Sequence, residues 1–357
     1  MKMAVGKRVM YVFLTAFLWL NAQHAFVSCT LTSELQSKIA KVNQEGPYLG
    51  LIIPNSFELD PLLNNPGYTA SDTIIDVAGR RFRFGAIGDQ SVILVMTGLS
   101  VINAAITTQL LLSLFSVEGV VHYGIAGNAN PSLHIGDVAI PESWAHLALW
   151  SWQRYGLGAD NTLPLEDNGD YTREFGYIKF ADFTSNVTGD SPVDNQLNNI
   201  WYQPEEIFPV DGTPEQRQHA FWVPVDSKYY HIAKKLEGLE LESCINATTC
   251  LSTTPKVELV KRGISQSIYL DNAAYRSFIY NKFEVSPVDM ESASVALICL
   301  QQRQPFIAIR ALSDLAGGGS AESNEADTFL SIAATNSVTV VIEFVKLLSL
   351  HSKSWSM

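Results

Sequence analysis

The chain has 357 residues, 47% of them apolar and 17% charged, with a mean hydropathy of +0.09. That composition supplies a large buried core and excludes a disordered chain. Lys and Arg number 24 against 36 Asp and Glu, a formal charge of −12. Binding to nucleic acid or to an anionic membrane needs a basic face, so both are excluded as general functions. Four cysteines are too few for a disulfide scaffold.

Lys2, Lys7 and Arg8 precede the apolar run Val9–Leu20, and small residues follow around Ala25–Cys29. The run falls short of the roughly 20 residues that span a bilayer. Residues 1–28 therefore read as a secretory signal peptide, and residues 29–357 as a single domain. With no second apolar run of about 20 residues, the mature chain is expected to be free of the membrane. The expected location is the secretory pathway, ending in the vacuole or outside the cell. Asn186-Val187-Thr188 and Asn246-Ala247-Thr248 are glycosylation sequons, which belong on exposed loops. Cys244 and Cys250 flank the second sequon, and in an oxidising compartment they are expected to close a small disulfide loop. Cys299 lies in the apolar run VALICL and reads as a buried free thiol. His122, His134 and His146 fall on separate elements and no Cys/His cluster has ligand spacing, so no metal is expected.

Tyr48–Ile53 is a continuous apolar run ended by Pro54-Asn55, which predicts a buried strand. Thr73–Val77 and Arg81–Ile87 predict a hairpin across Ala78-Gly79-Arg80. Ser91–Met96 predicts a second buried strand, Val101–Phe115 a helix, and Val117–Tyr123 a strand leading into a glycine turn at 124–127. Asp137–Ile140 predicts a short strand stopped by Pro141. From about 144 to 225 the chain is rich in Trp, Asn, Gln, Asp, Gly and Pro without clear period, and reads as a long insertion. Trp144, Trp150 and Trp152 read as its local core. Regular elements then resume: helix Ser227–Leu236, strand Val257–Arg262, helix Ala273–Phe283, strand Val285–Asp289, helix Glu291–Gln302 and strand Phe306–Ala311. A flexible loop at Gly317–Gly319 and a long helix Asn324–Leu350 complete the chain. Strands alternating with helices predict an α/β fold, a three-layer sandwich around a mostly parallel twisted sheet.

Three carboxylates follow strand ends: Glu58 after Tyr48–Ile53, Glu291 after Val285–Asp289, and Asp314 after Phe306–Ala311. In open α/β sheets ligands bind beyond the carboxyl ends of strands, so the three can share one cleft. Each also has a plainer role: Glu58 as a loop charge, Glu291 as a favourable helix-start charge, Asp314 as a turn or cap residue.

The blocks VHYGIAG (Val121–Gly127), IGDVAI (Ile135–Ile140), VDMESASVA (Val288–Ala296) and PFIAIRALSD (Pro305–Asp314) resemble the signatures of the nucleoside phosphorylase/nucleosidase superfamily. The nearest branch is the methylthioadenosine and adenosylhomocysteine nucleosidases. The leader, the insertion and Tyr269–Arg276 further resemble the plant bark storage proteins of that superfamily. The resemblance implies cleavage of a purine-type nucleoside to its free base, without a cofactor. It places Asp314 as the acid at the base, with Ser313 beside it, and Glu58 as the residue that activates water. It places Glu291 and Met290 at the sugar, Tyr269 and Leu270 at the base, and Thr97 and Gly98 near sugar and nucleophile. It also implies a homo-oligomer. Phosphorolytic relatives carry an Arg and a Ser or Thr where this chain has His122 and Ile125, so water is favoured over phosphate as nucleophile. Arg80, Arg81 and Arg83 on the hairpin read as a solvated edge, with phosphate contacts as the alternative. A storage protein with little turnover is the competing expectation.

Overall fold

The computed structural model describes residues 31–152, 173–178, 200–317 and 321–354. The leader at 1–28, the sequon at Asn186, much of the insertion and Gly318–Gly319 lie outside the described residues. An N-terminal unit, residues 1–44, carries helix α1 (Ser33–Glu45), which buries Ile39 and Val42.

The second unit begins with β1 (Tyr48–Ile53), α2 (Ser56–Leu63), β2 (Tyr68–Val77), β3 (Arg80–Ile87) and β4 (Gln90–Met96). Next come α3 (Val101–Leu114), β5 (Val117–Asn128) and β6 (Val138–His146). The insertion contributes β7 (Trp150–Trp152), β8 (Tyr177–Ile178), β9 (Ile200–Tyr202), β10 (Glu205–Ile207), β11 (Gln218–Ala220) and β12 (Val223–Pro224). After α4 (Ser227–Ala233) a short hairpin, β13 (Cys244–Asn246) and β14 (Thr249–Cys250), is closed by the Cys244–Cys250 disulfide. The chain ends with β15 (Val257–Ser265), α5 (Ala273–Phe283), β16 (Val285–Asp289), α6 (Ser292–Gln302), β17 (Phe306–Leu315) and α7 (Ala321–Ser354).

Among the described residues the main sheet has ten strands in the order β12-β6-β15-β16-β5-β1-β4-β3-β2, with β17 pairing β5 and β6. It is the expected mixed, mostly parallel α/β sheet. β1 runs parallel to β4 and β5, and β17 parallel to β5, so their carboxyl ends share one edge. β16 runs antiparallel to β5 and meets its end at Val288 and Gly127. Strands β1 and β16 are buried along their whole length, which explains the unbroken apolar run of β1. Within α7, Thr328–His351 has the length and hydropathy of a membrane span, but 67% of its most apolar window is buried inside the protein. It is a core helix laid on β17 and β5.

Several boundaries differ from the sequence expectation, each for a local reason. No turn interrupts β5 at Gly124–Gly127: the strand runs on to Asn128. β6 passes through Pro141 to His146. On one side β6 pairs β17 at Val138 and Ala139 and β12 at Ser143 and Trp144, and Pro141 falls between those two partners. A residue without an N–H costs nothing there. β17 extends to Leu315, so Ser313 and Asp314 lie inside the strand rather than after it. Pairing with β5 shifts between Leu312 and Asp314, leaving Ser313 as the extra residue of a bulge. Such a bulge re-aims the side chains around it. Trp144 is fully buried in the main sheet against Gly263, not in a core private to the insertion. Trp150 packs on a cluster that includes Leu147, Ile200, Tyr202, Phe221 and Phe283.

Candidate active site

Glu58 sits in the first turn of α2, not in the loop expected from Pro54-Asn55. Asn55 caps that helix, its side chain accepting the Glu58 N–H at 3.2 Å. The carboxyl group points inward and the residue is only 1% exposed. Its Oε1 accepts the Ile125 N–H at 2.7 Å and lies 3.9 Å from Arg310 Nη1. Its Oε2 is buried and, among the described residues, has no hydrogen-bond partner. Burial pushes this carboxyl up to about 7, against the smaller opposing pull of Arg310.

Gly124 explains how the glutamate fits. A Cβ on Gly124 would lie 2.2 Å from Glu58 Oε1 and 2.5 Å from Arg310 Nη1. The glycine read as a turn signal is there for close approach.

Arg310 is the residue that sequence reasoning missed. It lies in the middle of β17 and is completely buried. Its Nε donates to Ser292 Oγ at 3.0 Å and forms an ion pair with Asp289 Oδ2 at 2.7 Å. Its Nη2 lies 3.7 Å from Glu291 Oε2 and donates to His122 Nε2. The available signal was a charge inside the apolar run FIAIRA: a fully buried arginine is rare unless paired.

His122 is buried beside it, with Nδ1 2.8 Å from the Ile52 carbonyl oxygen. That contact fixes the proton on Nδ1 and leaves Nε2 as the acceptor for Arg310. Burial and the neighbouring guanidinium push its pKa well below the ordinary value, so the ring is neutral. His122 is thus a support for Arg310.

Glu291 precedes α6 and is 3% exposed. Its Oε1 accepts the Ser100 N–H at 2.9 Å. Burial and the nearby Asp289 raise its pKa to about 7, while Arg310 opposes the rise. Ser100, a second residue not anticipated from sequence, holds φ at +93°, a sparsely populated conformation for a side-chain-bearing residue. Asp289 ties the cluster together, accepting the N–H groups of Glu291 and Ser292, both at 3.1 Å, and the Ser265 hydroxyl. His122, Asp289 and Glu291 bring three possible metal-ligand atoms within 4.8 Å of one another. Arg310 already hydrogen-bonds His122 and pairs with Asp289 and Glu291, so the cluster is built around a guanidinium and does not suit a metal.

Asp314 is partly buried and lines a narrow cleft with Gly127, Tyr269, Leu270 and Met290. Ser313 donates to Asp314 Oδ1 at 2.7 Å and has the Ala126 carbonyl oxygen as a second acceptor at 3.2 Å. Burial raises the Asp314 pKa, the Ser313 hydrogen bond opposes this, and Asp271 adds to the rise. The cleft has a volume of about 50 Å³, room for one or two waters. A larger ligand would have to displace the Ile268–Leu270 segment, whose Tyr269 is 77% exposed.

Thr97 and Gly98 line a separate cavity of about 650 Å³ with the hairpin residues Asp76–Arg81 and Arg83. They connect to the carboxylate cluster through Ser100. The structure therefore gathers Glu58, Glu291 and Arg310 in one buried network. Met290, Tyr269, Leu270, Ser313 and Asp314 stand at the adjoining cleft, and Thr97 and Gly98 beyond Ser100. Asn246 stands apart on the disulfide-closed hairpin, exposed, its Oδ1 accepting the Thr248 and Thr249 N–H groups.

The phosphorylase superfamily model matches residues 48–346. Bark storage protein A of Populus deltoides is 29% identical over 279 residues, covering 77% of this chain and 82% of its own. A 5′-methylthioadenosine/S-adenosylhomocysteine nucleosidase of Bacillus pumilus (strain SAFR-032) is 27% identical over 273 residues, 76% of this chain and 87% of its own. Among solved structures, such a nucleosidase from Colwellia psychrerythraea 34H in complex with adenine matches with a TM-score of 0.56 and 20% identity. It covers 84% of this chain and 95% of that one. With its strand order, buried sheet and matching span in agreement, the chain belongs to the phosphorylase superfamily.

Proposed function

We propose that this protein cleaves the N-glycosidic bond of purine-type nucleosides, with water as the nucleophile. The observation that carries the reading is Glu58: a carboxylate locked at Oε1 by Ile125, free at Oε2, and poised to titrate at about 7. A base near neutrality suits the removal of a proton from water. Asp314, partly buried and raised in pKa, protonates the departing base. Glu291 accepts the sugar hydroxyls, and Met290 lies under the ring. Arg310 holds the carboxylates in register and lowers the cost of their shared charge. His122, spent on Arg310, and Ile125, whose side chain has no donor, leave the usual phosphate contacts unfilled. The reaction takes place in the secretory pathway, as the leader composition supports.

The test is release of free adenine or a substituted adenine by the purified protein, with and without phosphate. Asp314→Asn is expected to lower the rate by at least about 100-fold, the usual scale for one proton-transfer group. Wild type and variant equally inert across purine nucleosides would overturn the reading. A strict phosphate requirement would overturn its hydrolytic part. The 29% identity with a bark storage protein favours a second reading, a nutrient reservoir. Seasonal or nitrogen-dependent accumulation together with absent turnover would select it.

A further inference from the structure

The cavity lined by Arg80, Arg81, Arg83, Thr97 and Gly98 is not used by the mechanism above. Its charge is unusual for this chain. Arg80, Arg81 and Arg83 line it with one carboxylate, Asp76, in a protein of net charge −12. Asp76 is already engaged, pairing with Arg81 through two hydrogen bonds of 2.7 and 2.8 Å. Arg80 has neutral partners, Thr107 Oγ1 at 2.7 Å and Asn103 Oδ1 at 3.0 Å, which position it without neutralising it. Arg83 is partly buried and, among the described residues, makes no hydrogen bond or ion pair. Phe82 and Phe84 point into the core, so alternation along β3 turns Arg81 and Arg83 to the opposite face. The hairpin is the edge of the sheet, as expected from sequence, with Arg81 exposed, and it also lines an open cavity of about 650 Å³.

The position of this cavity follows from strand order. Asp314 is on β17, Glu58 follows β1, Thr97 follows β4, and all three strands end at the same edge. β3 is antiparallel to β4, so its first residues lie beside the carboxyl end of β4. Along that edge the order is therefore Asp314, Glu58, Thr97-Gly98, then the arginines. From β17 through β5, β1 and β4 to β3 are four strand spacings, about 19 Å. Base, sugar and a 5′ tail laid along the edge, with an arginine reaching in from β3, cover that span.

We propose that this cavity is an anion subsite that takes a phosphate or carboxylate carried on the 5′ side of the nucleoside. Arg83 is the principal contact. The inference rests on the function proposed above for the orientation of the ligand, with the base at Asp314 and the sugar at Glu291. Free phosphate shares the same chemistry. The tail is favoured because β3 lies two strand spacings, about 10 Å, from β1 and Glu58, too far for an anion held there to attack at the sugar.

The test is titration of the full mature chain, followed by tryptophan fluorescence or calorimetry, with adenosine, adenosine 5′-monophosphate and inorganic phosphate. Wild type is compared with Arg83→Gln and Arg83→Lys. The expected result is monophosphate binding at least about 10-fold tighter than adenosine binding, the scale of one charge-assisted contact. Arg83→Gln should erase that difference and leave adenosine affinity unchanged, and Arg83→Lys should retain part of it. Equal affinity for adenosine and its monophosphate, with phosphate binding lost in Arg83→Gln, would keep the anion subsite and assign it to free phosphate. Anion binding that is absent, or unaffected by Arg83→Gln, overturns the proposal. Arg83-dependent phosphate binding without any adenosine binding would instead sink the nucleoside reading and leave the subsite standing.

Discussion

Replacing Glu58 with Gln separates its effect on stability from the catalytic role proposed for it. The folded-state carboxyl titrates at about 7 against an ordinary value of 4.5. Its stabilising contribution is therefore fully present below 4.5, where both states hold the proton. It is lost as pH rises through about 7, because the unfolded chain gains more from ionisation. The full penalty is about 3 kcal/mol for a group this deeply buried. Glutamine mimics the protonated form: its oxygen can still accept the Ile125 N–H, and it never ionises. The stability gap, variant minus wild type, is expected to widen in favour of the variant by about 2–3 kcal/mol between about pH 5 and pH 8. In melting temperature this is about 5 °C for a chain of this size. Urea unfolding followed by tryptophan fluorescence across that pH range measures it. Following the gap, rather than either stability alone, cancels any pH-independent effect of the substitution. The same variant should lose catalysis by at least about 100-fold at every pH. A gap that stays flat, or that widens in favour of wild type, would refute the argument that burial sets the state of this carboxyl. A fully active Glu58→Gln would refute its role as the base.

Arg310→Met should cost about 3–5 kcal/mol near neutral pH, since it strands Glu58, Asp289 and Glu291 without their shared cation. The cost should shrink as pH falls and Glu58 and Glu291 protonate, and chemical denaturation reads both effects; a loss that does not vary with pH would contradict the pairing. Gly124→Ala should displace Glu58 and lower the rate of base release by about 100-fold, because its methyl group would meet Oε1 at 2.2 Å. Unchanged kinetics in a correctly folded Gly124→Ala would show that the glutamate is not held where the structure has it.

Much of the frame is legible in the residues. A continuous apolar run such as Tyr48–Ile53 reads as a buried strand because both faces of this sheet are covered. The Ala78-Gly79 hairpin reads from its turn residues, both of which hold positive φ. Glycine and proline misled where a neighbour distant in sequence decides their meaning. Gly124 reads as a turn locally, but its missing side chain makes room for Glu58, 66 positions away. Pro141 reads as a stop, but it falls in a gap between two pairing partners.

For the site, local spacing nominated Glu58, Glu291 and Asp314 because strand ends are where α/β folds place ligands. It could not show what lies between the carboxylates. Sequence determined which residue types stand at the strand ends and the apolar strands that carry them. Only the tertiary structure decided that Arg310 enters from β17 to meet Glu58, Asp289, Glu291 and His122, and that Arg80 and Arg83 wall a cavity. The physical reason is that charge interactions and desolvation depend on distance and burial in space, and neither is encoded in separation along the chain.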